Sequence, residues 1–202
     1  MTLTALFVFL GIFFDFFDGL LARKFKVEGE LGLQLDSLAD MVTSGLVPGL
    51  VMFYLFKLGN SNISSFSVYL PYLGLLITLA SAYRLANFNI DNNQTDSFIG
   101  LPTPANALLI LSLPLIMEFQ NNDMMNAIIL NKWFLIIVTL LSVFLLNANI
   151  KLIALKFKTW SFKENASRYL LIILAIVLLI IFKFAGIPLI ILLYILMSLI
   201  SK

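Results

Sequence analysis

The sequence predicts an all-α integral membrane protein with about seven transmembrane helices. The chain has 202 residues, of which 61% are hydrophobic and only 12% are charged, and its mean hydropathy is +1.02. Soluble domains average roughly 45–50% apolar and ~25% charged residues, and a soluble fold of this size could not bury so much apolar surface. No stretch alternates apolar and polar residues with a period of two, so helical spans are expected.

Seven apolar stretches follow one another along the chain, each close to the roughly 20 residues that a helix needs to cross a bilayer. Because lipid offers no partners for open backbone groups, stretches of this length are expected to be helical. The fourth contains Pro114, and Gly186-Ile187-Pro188 separates the last two. The stretches lie at about 3–21, 33–57, 65–88, 103–119, 132–149, 168–184 and 187–201.

Basic residues predict the orientation of these spans. One basic loop begins at Arg23, and another lies between Lys151 and Arg168. With seven alternating spans, ten of the 13 Lys and Arg residues fall on or near the same side. The positive-inside rule makes that side cytoplasmic, which places the N-terminus outside and the C-terminus inside. The net charge of +2 is too small to suggest a nucleic-acid partner.

The chain has no cysteine and no histidine, which limits the chemistry available to it. A thiolate nucleophile, a disulfide framework and a Cys-ligated metal site are excluded. Any metal must be held by oxygen ligands. Any general base must be a carboxylate, a lysine or a tyrosine.

Four aspartates lie in the first two apolar stretches. Asp15 and Asp18 are three residues apart, and Asp36 and Asp40 are four apart, so each pair lies on one face of its helix. An unpaired carboxylate at bilayer depth costs about 2.5–3.5 kcal/mol on the insertion scale. If antiparallel packing brings the two pairs together, either some of the carboxylates are protonated or cations lie among them. All-oxygen ligation favours two Mg²⁺ or Mn²⁺ ions, a recurrent device for displacement at phosphorus.

Two other interpretations of the acids stay open. They could be solvated at helix ends or paired with Arg23, Lys24 and Lys26, or they could form a proton or cation relay in a small transporter. Small residues beside the acids favour a ligand site, because a missing side chain lets a ligand approach closely. The same small residues could instead serve helix packing. They are Gly19, Ala22 and Gly32.

These residues form one continuous pattern. It runs Asp15-Phe-Phe-Asp18-Gly19-Leu-Leu-Ala22-Arg23, then eight residues, then Gly32-Leu-Gln-Leu-Asp36-Ser-Leu-Ala-Asp40. The pattern resembles the signature of the CDP-alcohol phosphotransferases, D-x2-D-G-x2-A-R-x8-G-x3-D-x3-D, with every fixed position present. The resemblance implies a helical membrane bundle that transfers a phosphatidyl or similar group from a CDP-linked donor to an alcohol and releases CMP.

The resemblance also implies roles for individual residues. A centre of two divalent cations, Mg²⁺ or Mn²⁺, would be ligated by Asp15, Asp18, Asp36 and Asp40. Asp40 would also be the catalytic residue, as the general base that takes the proton of the acceptor hydroxyl. The residues implied to bind the nucleotide of the CDP-lipid are Gly19, Ala22, Arg23 and Gly32.

Three further segments resemble the phosphatidylserine synthase branch of this family. They run from Gln34 to Gly45, from Tyr83 to Asn89 and from Phe98 to Ala105, so the resemblance covers about residues 5–110. Asn87 stands where that branch commonly has a second arginine. Members of the branch carry one more span at the N-terminus, and we expect this chain to lack that first span.

Polar residues in the third apolar stretch are candidates for binding the acceptor or a phosphate. Arg84 lies in an apolar helix, where a guanidinium is by default a functional candidate because it matches a carboxylate or phosphate in bidentate geometry. The alternative is an arginine that snorkels to water at the helix end. Asn87 and Asn89 follow within about a turn. Weaker candidates for the same pocket are Thr43, Ser44 and Asn106.

The sequence thus predicts a single transmembrane catalytic domain over 1–202, with its signature at 15–40 and further helices over 132–202. The expected reaction joins CDP-diacylglycerol and L-serine to give phosphatidylserine and CMP. One alternative is the same chemistry with glycerol-3-phosphate or inositol phosphate as the acceptor, and a distant one is a cation transporter. We expect a homodimer in the bacterial cytoplasmic membrane, with the active site facing the cytoplasm.

Overall fold

The computed structural model describes residues 1–25, 29–59, 68–90, 98–153 and 165–200, and for residues 16, 18, 19, 23 and 98 it describes the backbone alone. A π-helical segment, Met41–Leu46, joins α2 to α3, and short 3-10 turns precede α4 and α9 at Leu70–Gly74 and Lys183–Ala185. The helices are α1 (Thr2–Phe25), α2 (Glu30–Asp40), α3 (Val47–Gly59), α4 (Leu75–Ile90), α5 (Thr103–Phe119), α6 (Asp123–Ile129), α7 (Lys132–Asn147), α8 (Ala166–Phe182) and α9 (Gly186–Ile200).

Each of the seven apolar stretches overlaps helices in the described ranges, so the predicted all-α membrane fold is confirmed. Three helical runs within the described ranges are long and apolar enough to cross a membrane, namely Thr2–Ala22, Glu30–Gly59 and Ala166–Ile200. The pair α6 and α7, bent by 58°, would make a fourth span, and α5 is a shorter apolar helix. The exact number of seven spans stays a prediction, as does the division into one domain.

The run Ala166–Ile200 reverses direction at its middle. Lys183 has a left-handed backbone with φ of 49° and ends α8. Gly186 begins α9 so close to α8 that a Cβ there would lie 2.6 Å from the carbonyl oxygen of Leu178. The side chain of Gln120 holds this turn, donating to the Phe182 carbonyl oxygen and accepting from the Ala185 amide. The two halves therefore correspond to the last two predicted stretches.

The buried core lies among α3, α4, α5 and α7. Met52, Ile77, Leu111 and Leu135, one from each helix, are completely buried. Most large apolar side chains of α1 and α8 are instead exposed on the protein surface. In a membrane protein such side chains face lipid or another apolar surface, because lipid is as apolar as the core.

Small residues let α3 and α4 cross at close range. A Cβ on Gly74 would lie 2.6 Å from the backbone nitrogen of Phe53, and a Cβ on Gly49 would overlap the Thr78 hydroxyl. The Thr78 hydroxyl also donates a hydrogen bond of 3.2 Å to the carbonyl oxygen of Gly45. Gly45 and Gly49 form the G-x-x-x-G spacing that favours close helix packing in membranes.

A short strand pair departs from the all-helical prediction. Phe98–Ile99 pairs antiparallel with Lys151–Leu152 just before α5 and just after α7. Gly100 follows with φ of 73°, and a Cβ there would lie 2.5 Å from the carbonyl oxygen of Leu146. Glycine is required because it alone adopts this conformation cheaply and fits against that backbone. The pair fixes the start of α5 beside the end of α7.

Candidate functional site

Asp40 lies at the junction of α2 and the π-helical segment. Its half-buried carboxylate accepts a hydrogen bond of 3.4 Å from the Ser44 hydroxyl, which is completely buried one turn later. Asp36, one turn earlier on the same face of α2, interacts with Asp40 electrostatically. The Thr103 hydroxyl at the start of α5 and the guanidinium of Arg84 are its other neighbours. Residues from three separate helices therefore surround this carboxylate.

The π-helical geometry of Met41–Leu46 widens the helix immediately after Asp40. Such segments are rare and occur frequently at functional sites. Here the wider turn brings Gly45 against α4, where a Cβ on Gly45 would lie 3.1 Å from Ser81 Cβ. Thr43, also in this segment, bonds to the Ala39 carbonyl oxygen and packs against Gly11 of α1.

Asp15 lies on the face of α1 that packs toward the same segment. Ala5 and Val8 are buried, and Gly11 packs against Thr43. Asp15 continues that face one helical turn after Gly11 and is half-buried. Asp15 therefore shares the face of α1 that contacts Thr43. The approach of the first pair of acids to the second stays a prediction.

No group of three acidic side chains close enough to hold a metal occurs among the described residues. The side chains of Asp18 and Arg23 lie outside the described part of the structure, although both residues belong to α1. The donors that are described, Asp15, Asp36 and Asp40, have the hard oxygen chemistry that Mg²⁺ and Mn²⁺ prefer. The residues present fit a divalent cation in their chemistry, and the four-aspartate site stays a prediction.

Arg84 points into the protein. Its side chain is only 8% exposed, so it does not snorkel to water. Its guanidinium interacts with Asp40 and with Tyr194 of α9, whose hydroxyl bonds to the Ile153 carbonyl oxygen. The Nε atom of Arg84 is buried without a hydrogen-bond partner. A buried guanidinium with a free donor is able to bind a carboxylate or a phosphate oxygen.

Arg84 also lines a small cavity of about 70 Å³ near the C-terminal end of α4. Asn87 and Asn147 contribute amide groups to the wall, and Phe88, Ile99 and Leu146 contribute apolar surface. The amide nitrogen of Asn147 donates to the Ala80 carbonyl oxygen at 3.1 Å. The structure therefore brings Arg84 and Asn87 together, as the sequence suggested.

Asn89 joins α4 to α2. Its Oδ1 atom accepts a hydrogen bond of 3.0 Å from the Ser37 hydroxyl, and its Nδ2 atom donates one of 3.2 Å to the Gln34 side chain. Ser37 and Gln34 flank Asp36 on α2. Asn89 therefore holds the helix that carries Asp36 and Asp40, and its contact with the acceptor stays a prediction.

The small residues of the signature belong to α1 and α2, and Gly32 lies on an open part of α2. A Cβ on Gly32 would meet nothing within 4 Å, so helix packing does not require a glycine there. Ala22 is half-buried on α1. The surroundings of Gly19 lie outside the described part. The open surface at Gly32 is consistent with a ligand that approaches the helix backbone.

Little or nothing in the sequence indicated that several polar residues near Asp40 belong to the candidate site. Ser81 and Thr103 were missed, and Asn106 was only a weak candidate. All three are almost completely buried. Spacing is the signal that could have identified them. Ser81 lies three residues before Arg84, and Asn106 lies three residues after Thr103, in each case on an apolar helix.

The comparison with protein families matches this chain to a known group. The model of the CDP-alcohol phosphatidyltransferase family matches residues 1–144. The chain belongs to the CDP-alcohol phosphatidyltransferase family. The predicted resemblance is confirmed, and the match includes the whole signature together with the helices that surround Asp40.

Relatives in three organisms carry the name CDP-diacylglycerol–serine O-phosphatidyltransferase. The chain is 35% identical to the Bacillus subtilis protein over 128 residues, which are 61% of this chain and 64% of that relative. It is 34% identical to the Methanocaldococcus jannaschii protein over 122 residues, 60% of this chain and 54% of the relative. A Helicobacter pylori relative is 33% identical over 108 residues, 52% of this chain and 42% of the relative.

The chain thus spans 64%, 54% and 42% of the length of these three relatives, which is less than two thirds of each.

Proposed function

We propose that this membrane protein transfers a phosphatidyl group from CDP-diacylglycerol to L-serine, forming phosphatidylserine and CMP. The observation that carries this proposal is the environment of Asp40, at the end of an intact family signature. Arg84, Ser44 and Thr103 surround its carboxylate inside the protein. The bacterial and archaeal relatives share one name, and that name supports serine as the acceptor.

Asp40 serves as the general base in this proposal. Its carboxylate takes the proton of the serine hydroxyl, and the serine oxygen forms a bond to the phosphorus on the lipid side of the donor. The bond from that phosphorus to the CMP oxygen breaks, and CMP leaves with the electron pair. A carboxylate is a suitable base in a chain without histidine or cysteine. The hydrogen bond from Ser44 fixes the orientation of the carboxylate.

The acids of α1 and α2 are the residues that would hold divalent cations. Mg²⁺ or Mn²⁺ bound by Asp15, Asp18, Asp36 and Asp40 would neutralise charge on the phosphate oxygens and on the leaving CMP. The positions of these carboxylates would determine where the cations are held, and so where the donor phosphates could bind. The open helix surface at Gly32, together with Gly19, Ala22 and Arg23, would accept the cytidine nucleotide.

The acceptor would bind on the other side of Asp40, toward α4 and α5. Arg84 would pair with the carboxylate of serine, and Asn87 lies beside it in the cavity wall. Asn89 would act indirectly by holding α2 in place. The basic loops favour an orientation in which this end of the helices faces the bacterial cytoplasm, where soluble serine is available. We also propose a homodimer, since the exposed apolar faces leave room for a second copy.

The test supplies purified protein with CDP-diacylglycerol, Mg²⁺ or Mn²⁺ and a panel of alcohols, and measures CMP release. We expect release with serine and little with glycerol-3-phosphate or inositol phosphate. Release only with a phosphorylated acceptor would assign the chain to another reaction of the family. No release with any alcohol, together with cation flux into proteoliposomes, would replace the enzyme by a transporter.

A further inference from the structure

Several buried polar atoms near Asp40 have no hydrogen-bond partner. They are the hydroxyl of Ser81, the Nε atom of Arg84, and both the oxygen and the nitrogen of the Asn106 amide. Ser81 and Asn106 are completely buried. Buried polar groups in native proteins are almost always paired, so each unpaired one calls for a ligand or a water.

Counting helical turns along α4 and α5 places Ser81 and Asn106 at the same depth in the helix bundle. Thr103 neighbours Asp40, and Asn106 lies one turn further along α5. Ser44 lies one turn further along from Asp40, and Ser81 lies one turn from Arg84 on α4. Gly45 and Ser81 are in close contact, which aligns the two helices at this level. The unpaired groups of Ser81 and Asn106 therefore form a layer one turn deeper than Asp40 and Arg84.

The chemistry of this layer complements a particular kind of molecule. Arg84 supplies donors for a carboxylate, whereas the Asn106 amide oxygen and the Ser81 hydroxyl oxygen accept hydrogen bonds from an ammonium group. Arg84 is the one cation that the described residues place beside Asp40. A small zwitterion with a hydroxyl group would satisfy these atoms better than a phosphate dianion, which calls for more than one cation.

We propose that Asn106 and Ser81 form the inner wall of the acceptor subsite and select an amino alcohol by binding its ammonium group. This proposal rests on the proposed function and adds residues that determine its acceptor. Asn106 contacts the acceptor, with its amide oxygen toward the ammonium group. Ser81 shares that contact from α4, and Arg84 binds the carboxylate at the opposite end of the same molecule.

The proposal is tested with Asn106→Leu, which keeps the size of the side chain and removes both unpaired groups. The KM for serine should rise by about tenfold to a hundredfold, the range for losing a hydrogen bond to a charged group. The KM for CDP-diacylglycerol should stay unchanged. The unfolding temperature without ligands should stay equal or rise, because the variant no longer buries an unpaired amide.

Two further variants keep the test decisive. Asn106→Ala is smaller than the native residue and cannot clash, and it should raise the KM for serine in the same way. Ser112→Ala is the matched control, because Ser112 is also completely buried on α5 but already bonds to the Leu109 carbonyl oxygen. The control should leave the KM for serine unchanged.

An acceptor analogue adds a second readout. Glycerate has a hydroxyl in place of the serine ammonium, so the native protein should prefer serine and Asn106→Leu should lose that preference. An unchanged KM for serine, or a raised KM accompanied by a lower unfolding temperature in both variants, would overturn the proposal. Absence of CMP release by the native protein would instead contradict the proposed function, and the unfolding measurements separate these two failures.

Discussion

The two halves of the long helical run Glu30–Gly59 differ in burial, in charge and in how closely they pack against α4. In α2 no side chain is buried, two acids face the candidate site, and hydrogen bonds with Asn89 hold the helix to α4. In α3 six residues are buried and glycines bring the backbone against α4. The π-helical segment separates them. One half anchors the run in the core, and the other carries the acids.

This difference predicts which substitutions change stability and which change activity. Packing in α3 should govern stability with little direct effect on chemistry, because its buried residues touch other helices. Side chains of α2 should govern activity with little effect on stability, because they touch little within the protein. The substitutions below test this contrast between α2 and α3.

Asp40→Asn should have the largest effect. Removing the general base is expected to lower the rate of CMP release about 100- to 10,000-fold. The unfolding temperature should not fall, since the carboxamide fills the same space and still accepts from Ser44. Asp123→Asn on α6 is the control for loss of an acid elsewhere. Full activity of Asp40→Asn would remove Asp40 from the role of base.

Gly74→Ala should have the next largest effect, and on stability. Its Cβ would lie 2.6 Å from the Phe53 backbone nitrogen and 3.0 Å from the Gly49 carbonyl oxygen, which no side-chain movement can relieve. Overpacking of this kind costs about 1–3 kcal/mol. Thermal unfolding in detergent measures the loss. An unfolding temperature equal to that of the native protein would mean that the helices cross less closely than described.

Gly32→Ala is the matched counterpart in α2, and it should act in the opposite way. Its Cβ meets nothing within 4 Å, and alanine favours a helix over glycine by up to about 1 kcal/mol. The unfolding temperature should stay equal or rise. The KM for CDP-diacylglycerol should rise about tenfold, a change equivalent to ~1.4 kcal/mol, if the nucleotide needs the open backbone. An unchanged KM would remove Gly32 from the nucleotide site.

Asn89→Ala should have the smallest effect. It removes two hydrogen bonds at the edge of the site, each with a net value of about 1 kcal/mol or less. The kcat should fall severalfold because α2 is held less firmly, and the KM for serine should not change. Ser37→Ala removes only one of these bonds and should cause a smaller loss. A raised KM for serine would instead place Asn89 in contact with the acceptor.

The helices could be predicted from the sequence because apolar length is a local property. Every predicted stretch overlaps a helix, and the stretch at 103–119 coincides with α5. The acids were identified because a carboxylate in an apolar stretch is costly wherever it lies. The burial of Arg84 and the contacts of Asn89 depend on which helices become neighbours. A single sequence contains no direct information about those neighbours.

The π-helical segment was not predicted for the same reason. Its residues Met41–Leu46 have no unusual local composition apart from Gly45, and its geometry accompanies the close contact between Gly45 and Ser81. Asn106 was underrated because an isolated asparagine in an apolar helix has no obvious partner in the sequence. Asn106 becomes a candidate for binding the acceptor because it lies at the same depth in the helix bundle as Ser81.

The π-helical segment also determines how the chain tolerates a change in length at this point. A turn closed by i→i+5 hydrogen bonds holds about one residue more than an α-helical turn, so the extra residue widens the turn and leaves the flanking helices close to their α-helical register. Deleting one residue between Asp40 and Val47 should therefore restore an ordinary helix and keep the acids of α2 on the same side. The wide turn that brings Gly45 against Ser81 would be lost instead.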